Sequence, residues 1–140
     1  MGTWNFDSFG NDVACDWAYS MEDTEDMGFV EETLRKVADF GEDYLEAPDA
    51  EEAIAAAEVV ARLKGRFGVR NSYTETVDRW VKRHRIEPDP FVVELAFKAI
   101  GRILTDHSEL LMLWKESENF DAWKKSVEDL RARIEEIRNN

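Results

Sequence analysis

The sequence predicts an all-α fold: a single-domain bundle of six to seven helices with a docked N-terminal segment. Three observations lead there. Apolar residues recur every three or four positions along nearly the whole chain, the spacing that lines one face of a 3.6-residue helix. No segment between turn signals alternates apolar and polar for more than about five residues, as a well-formed half-buried strand would. The periodic stretches are separated by helix punctuation: Asp, Asn or Ser before a start, Pro at a first position, Gly after an end. A chain of 140 residues buries roughly two thirds of the surface its unfolded form exposes. Residues 1–140 therefore read as one domain, with no internal repeat and no low-complexity linker.

The first helix starts at Asn11 or Asp12 as N-cap, turns Val13, Trp17 and Tyr19 to Met21 inward, and is broken by the run Glu22 to Asp26. A second is expected from about Met27 to Tyr44, with Val30, Leu34, Val37, Ala38, Gly41 and Leu45 on one stripe. Pro48-Asp49 opens a third. Asp49 is placed to cap it, and Glu52 three residues on can reach back to the capping amide. Its alanines (Ala53, Ala55, Ala56, Ala57, Ala61) permit close helix approach and make it the central helix, ended near Lys64 by Gly65 or Gly68 in a left-handed conformation. A shorter helix spans Thr74 to His84. Asp89 then caps a helix opened by Pro90, apolar on most of its circumference to Leu104 and so deeply buried. Ser108 caps a short helix through Lys115. The last helix runs from Phe120 to Ile137; its apolar residues Phe120, Trp123, Val127, Leu130, Ile134 and Ile137 repeat at 3, 4, 3, 4, 3. That seam is shorter than the three to four heptads of a coiled coil, which favours a helix packed on the bundle over a dimer zipper.

Four aromatics (Trp4, Phe6, Phe9, Trp17) crowd the first seventeen residues, and each large side chain gains roughly 1.5–3 kcal/mol on leaving water. The start of the chain is therefore expected to be docked. The same stretch reads Met1-Gly2-x-Trp4, then Phe9, then Asn11-Asp12-x-Ala14-x-Asp16-Trp17. Further on come Ala53 to Ala61, Ser108-Glu109-Leu110 through Trp114 to Ser117, Phe120-Asp-Ala-Trp123, and Asp129 to Arg133. With these blocks the whole chain resembles the bacterial family known as domain of unknown function 4259 (DUF4259). Asn5 and Asp7 stand where members often carry glycine. The resemblance implies a shared fold and no particular activity, with Gly2, Trp4, Phe9, Asn11, Asp12, Asp16, Trp17, Ser108, Glu109, Leu110, Trp114 and Trp123 in structural roles.

The net charge of −13 is lopsided. Residues 1–60 hold 17 acidic and 2 basic side chains (−15), residues 61–140 hold 14 acidic and 16 basic (+2). Arg62 to Arg85 carries eight basic residues against Glu75 and Asp78. Two readings remain open: the basic segment folds against the acidic half, or the acidic half faces outward and steers a basic partner. The second makes Glu22, Asp23, Glu25, Asp26, Glu31, Glu32, Glu42 and Asp43 candidate partner-binding residues, with Trp114, beside Lys115 and Glu116, as an aromatic anchor or a packed residue. The whole-molecule charge opposes nucleic-acid binding through Arg62 to Arg85.

Chemistry is sparse. Neither His84 nor His107 has the spacing of a helical metal site. His107 reads as a local hydrogen-bonding residue at a helix end and His84 as a solvated one. Cys15 cannot form an internal disulfide, and Asp12 and Asp16 oppose its thiolate, so it reads as a small core residue. There is no nucleophile elbow, no phosphate-binding glycine loop and no EF-hand ligand ladder. Gly2 lacks a myristoylation context because Phe6 stands where Ser or Thr is required. No cofactor or metal is expected.

One enzymatic alternative follows from spacing. Glu22-x-x-Glu25 and Glu46-x-x-Asp49 echo the Mg²⁺-holding pairs of all-α nucleotide pyrophosphohydrolases, although Pro48 lies inside the second pair. The longest apolar runs, Ala53 to Ala57 among them, are far short of the ~20 residues of a membrane span, and no charged leader opens the chain. The reading is a cytoplasmic, monomeric or weakly dimeric, non-catalytic protein of the immunity or antitoxin type that binds a basic protein.

Overall fold

A computed structural model describes residues 6–139; Gly2 and Trp4 lie outside them. The fold is all-α. Among the described residues there are seven α-helices: α1 (Asp12–Glu22), α2 (Gly28–Ala38), α3 (Ala47–Leu63), α4 (Glu75–His84), α5 (Pro90–Ile103), α6 (Glu109–Lys115) and α7 (Phe120–Arg138), with one 3₁₀ turn over Ser72–Thr74 before α4. None is long and apolar enough to cross a membrane.

Helix α3 is the axis of the molecule. Its small residues Ala50, Ala53, Ala55, Ala56, Ala57 and Ala61 are all buried, which lets α1, α2, α4, α5, α6 and α7 all pack on it. Helix α2 also packs on α5, and α5 on α7. The seam of α7, from Trp123 to Ile137, is consumed inside this single chain. Segment 6–9 lies against α3: Phe9 is buried, and Ser8 donates a 2.7 Å hydrogen bond to Glu58.

Several helix ends follow local chemistry. Asn11 accepts from the Ala14 amide at 2.7 Å, Asp89 from Phe91 at 2.9 Å with Pro90 beside it, and Ser108 from Leu111 at 3.5 Å. Gly65, at φ 80°, ends α3 as expected; Gly68 instead allows the Arg133 guanidinium to lie where a Cβ would sit, 2.7 Å away.

Two ends differ from expectation. Helix α2 stops at Ala38, not Tyr44, because Gly41 turns the chain at φ 86° and Arg102 gathers the Gly41 carbonyl at 2.7 Å and the Asp43 carbonyl. Helix α3 starts at Ala47, and no capping box forms at Asp49 and Glu52. Its first amide is taken by Glu109, whose Oε1 accepts from Ala47 at 2.7 Å. A short parallel bridge, with Leu45 donating to His107 (2.7 Å) and Glu109 donating to Leu45 (2.8 Å), brings that carboxylate into reach.

Candidate functional site

Helix α1 buries Ala14, Trp17, Ala18 and Met21. The 3.6-residue period then places Asp12, Asp16, Tyr19 and, at the cap, Asp23 along the opposite side, and all four are exposed; Tyr19, expected to face inward, is exposed by 62%, because Trp17, Ala18 and Met21 already fill the inner face. Glu25 and Asp26 continue the acidic surface through the following turn, and Glu32 stands exposed on α2. No described cation lies within ion-pair distance of Asp12, Asp16, Asp23, Glu25 or Glu32. Burial, then the charges of Asp12 and Asp16, push the Cys15 thiol up; the side chain is half-buried, with Sγ 3.4 Å from the Phe9 carbonyl.

Other candidate residues are occupied. Glu22 pairs with Arg79 at 3.0 Å, and its carbonyl accepts from Arg83. Glu31 pairs with Arg35 on its own helix, and Asp26 accepts from the Gly28 amide. Glu42 and Asp43 sit exposed in the loop after α2, which is held by its carbonyls: Arg102 takes that of Asp43, and His107 Nδ1 lies 3.0 Å from that of Glu42. Trp114 is half-buried and stacked on Trp123 at 5.9 Å, the packed alternative.

The basic segment has a mixed destination. Arg79 and Arg62 reach Glu22 and Glu58 of the acidic half. Lys64 pairs with Glu87, Arg66 with Glu136 at 3.4 Å, and Arg70 with Asp78 at 3.7 Å, all within the second half. Folding of basic on acidic thus neutralises little of the α1 surface.

Arg62 is not on the surface at all. It is 2% exposed and sits one helical turn from Glu58, itself 4% exposed, on the face of α3 that meets α7 and segment 6–9. Arg133 of α7 grips Glu58 with both terminal nitrogens at 3.0 Å, Arg62 binds Glu58 Oε1, and Ser8 completes the set. Arg62 also donates to Asp78 at 2.8 Å and to the Val69 carbonyl at 2.6 Å, while Thr74 donates to Asp78 at 2.8 Å. Burial alone pushes the Glu58 carboxyl up; the hydrogen bonds and charges of Arg133 and Arg62 outweigh it and hold the group below its ordinary value. Asp7, nearby, is pushed up by burial and by Glu58.

A cavity of about 510 Å³ opens over this centre, walled by Phe6, Asn71, Lys125 and Ser126 among others. Because Glu58 is already hydrogen-bonded on both oxygens, the centre is built to hold α3, α7, segment 6–9 and loop 66–69 together. The sequence carried a signal for it: Glu58 and Arg62 are the charges of a helix stretch that is otherwise Ala, Val and Ile.

His84 is not solvated; it is half-buried, stacked on Trp80 at 4.4 Å, with Nδ1 3.0 Å from the Trp80 carbonyl. Among the described residues no three of His, Cys, Asp and Glu are grouped to hold a metal ion, so Glu22, Glu25, Glu46 and Asp49 form no such set. Asp49 is bound by Lys36 at 3.0 Å.

The family model described as Domain of unknown function (DUF4259) matches residues 2–126. The chain belongs to that family. No curated protein and no solved structure matches it. Of the residues on which the DUF4259 resemblance rests, Asn11 and Ser108 cap helices, Glu109 holds the start of α3, and Trp17 donates to Thr33 at 2.9 Å. Phe9, Leu110 and Trp123 are buried. Asp12 and Asp16 differ: they are exposed and have no ion-pair or side-chain hydrogen-bond partner among the described residues.

Proposed function

We propose that this DUF4259 chain is a non-catalytic binding protein, of the immunity or antitoxin type, whose acidic surface on α1 and the following turn takes a basic protein partner. The observation that supports it is the exposed stripe Asp12, Asp16, Tyr19, Asp23, where uncompensated carboxylates flank a solvent-facing aromatic ring. Carboxylates without counter-charges project a negative field that accelerates encounter with a basic surface, and a tyrosine among them supplies contact area with few rotatable bonds.

The test begins with the proteins retained from the native host on immobilised chain. Their association rates are measured against salt, for wild type and for a variant carrying Asp12→Asn, Asp16→Asn, Asp23→Asn and Glu25→Gln. A steered partner associates at up to ~10⁸ M⁻¹s⁻¹ at low salt, against ~10⁵–10⁶ for a neutral encounter. The rate should fall steeply as the screening length shortens from about 10 Å at 0.1 M to about 3 Å at 1 M ionic strength. If the partner is an enzyme, complex formation should suppress its activity. A rate indifferent to salt, or a variant that associates as fast as wild type, removes this reading.

A further inference from the structure

The end of α3 and the end of α4 leave a second concavity, of about 540 Å³, which Arg62 lines and Glu58 does not. Its apolar lining is Leu63, Phe67, Val81 and Ile86, and its charged lining includes Arg70, Lys82 and Arg85. The negative members are already engaged: Asp78 by Arg62 and Thr74, Glu87 by Lys64. Lys82 and Arg85 have no ion-pair partner among the described residues, and Arg70 only the 3.7 Å approach to Asp78. Cations in the last turn of α4 complement its C-terminal dipole. That accounts for their place on the helix, not for their sharing one concavity with Arg70 from a different segment. The loop carrying Arg70 and Phe67 is fixed by the buried centre, since Arg62 takes the Val69 carbonyl, Arg133 takes the Arg66 carbonyl, and both Arg62 and Arg70 lie over the Phe67 ring at 5.5 and 4.9 Å. The groove is thus held open by contacts that do not depend on a ligand.

Because Arg70, Lys82 and Arg85 line one groove that also has apolar walls, we propose that it binds a small phosphorylated molecule with an apolar or aromatic body, of mononucleotide size. The volume suits that class, since small-molecule sites run to about 300–1,000 Å³. Charge selects against polyanions: a net −13 repels a nucleic acid over many phosphates, whereas a ligand with one phosphoryl group feels chiefly the local cations. The phosphoryl oxygens meet Lys82, Arg85 and Arg70, and the body lies on Leu63, Val81, Ile86 and the edge of Phe67.

The test uses four probes on the full chain by calorimetry: adenosine monophosphate, benzyl phosphate, inorganic phosphate and a ten-nucleotide single strand. The two organic phosphates should bind saturably, and inorganic phosphate at least about tenfold more weakly, because it lacks a body to bury. The variant Lys82→Gln/Arg85→Asn changes exposed side chains and puts Asn at the left-handed position of Arg85 (φ 38°), a conformation Asn tolerates. It should keep its circular dichroism and melting temperature while losing about a hundredfold in affinity, two charge-assisted contacts being removed. The control Asp12→Asn/Asp16→Asn should bind as wild type. No binding of either organic phosphate at millimolar concentration, unchanged affinity in the Lys82/Arg85 variant, or tighter binding of the oligonucleotide than of the monophosphate would each overturn the proposal.

Discussion

The outer face of α1 and the inner face of α3 are both charged, and they treat their charges in opposite ways. On α1, Asp12, Asp16 and Asp23 stand in water with no described cation beside them. Inside, Glu58 is clasped by Arg62, Arg133 and Ser8 and shut away from solvent. The inner charges join segments remote in sequence and are architecture. The outer ones have no ion-pair partner among the described residues, and Asp12 and Asp16 of the family motif are exposed, Asp12 in the first turn of α1. A charge that its own chain leaves uncompensated is free to act on another molecule.

The comparison can be broken most directly at Glu58. Glu58→Ala takes the shared anion from the buried Arg62 and the part-buried Arg133, which keep only Asp78 and Asp129, a loss of about 3–5 kcal/mol. At about 4 °C per kcal/mol for a chain of this length, the melting temperature should fall by about 12–20 °C in differential scanning calorimetry. A fall of less than about 3 °C would mean that the centre is solvated and belongs with the surface charges.

The same contrast has a pH dependence. The folded pKa of Glu58 lies below its unfolded value of 4.5. Its contribution is therefore fully present above the unfolded pKa and is lost as pH falls through the folded one. Chemical denaturation followed downward from pH 6 should show wild type losing stability progressively below about pH 4.5, whereas Glu58→Gln, already weakened at neutral pH, should lack that component of the slope. Parallel pH profiles for the two proteins would remove Glu58 from the acid transition.

A smaller effect is expected at Glu109, which caps α3 from 62 residues away. Glu109→Ala should cost about 1 kcal/mol, within the 0.5–2 range of lost caps. Glu109→Gln, which keeps an accepting oxygen, should lose less. Equal losses for both would show that charge and not the Ala47 hydrogen bond matters there.

The smallest change is predicted on α1 itself. Asp12→Asn/Asp16→Asn should alter stability by no more than about 0.5 kcal/mol. It should nevertheless speed alkylation of Cys15 by a small factor, because the two carboxylates add to burial in keeping the thiol protonated. An unchanged alkylation rate would assign the thiol's reluctance to burial alone.

What the sequence made legible was local. Asn11, Asp89 with Pro90, Ser108 and Gly65 announced their helix ends because a cap needs partners only two or three residues away. The seam of α7 was readable because periodicity alone decides a face. The rest depended on distant pairings. Nothing near Ala47 shows that its amide is received by Glu109, and within the run Arg62 to Arg85 only the apolar helix stretch that precedes Arg62 marks it off from exposed neighbours such as Arg70 and Arg79. His84 was misread for the same reason: its basic neighbours in sequence suggest water, while its helical neighbour Trp80 provides a ring to stack on. The stripe on α1 was only half legible: the exposure of Asp23 and Glu25 was expected from the acidic run, whereas that of Asp12 and Asp16 depends on which side of α1 faces the core.

The Glu58 to Arg133 contact also sets an order in time. The two residues are 75 apart in the chain, and at synthesis rates of about 5–20 residues per second roughly 4–15 s pass between them on the ribosome. During that interval Glu58 and Arg62 exist in a nascent chain without the side chain that completes their enclosure. The central helix can form early, but its polar face cannot be sealed before the final helix arrives. Sealing of the Glu58 centre therefore waits for α7.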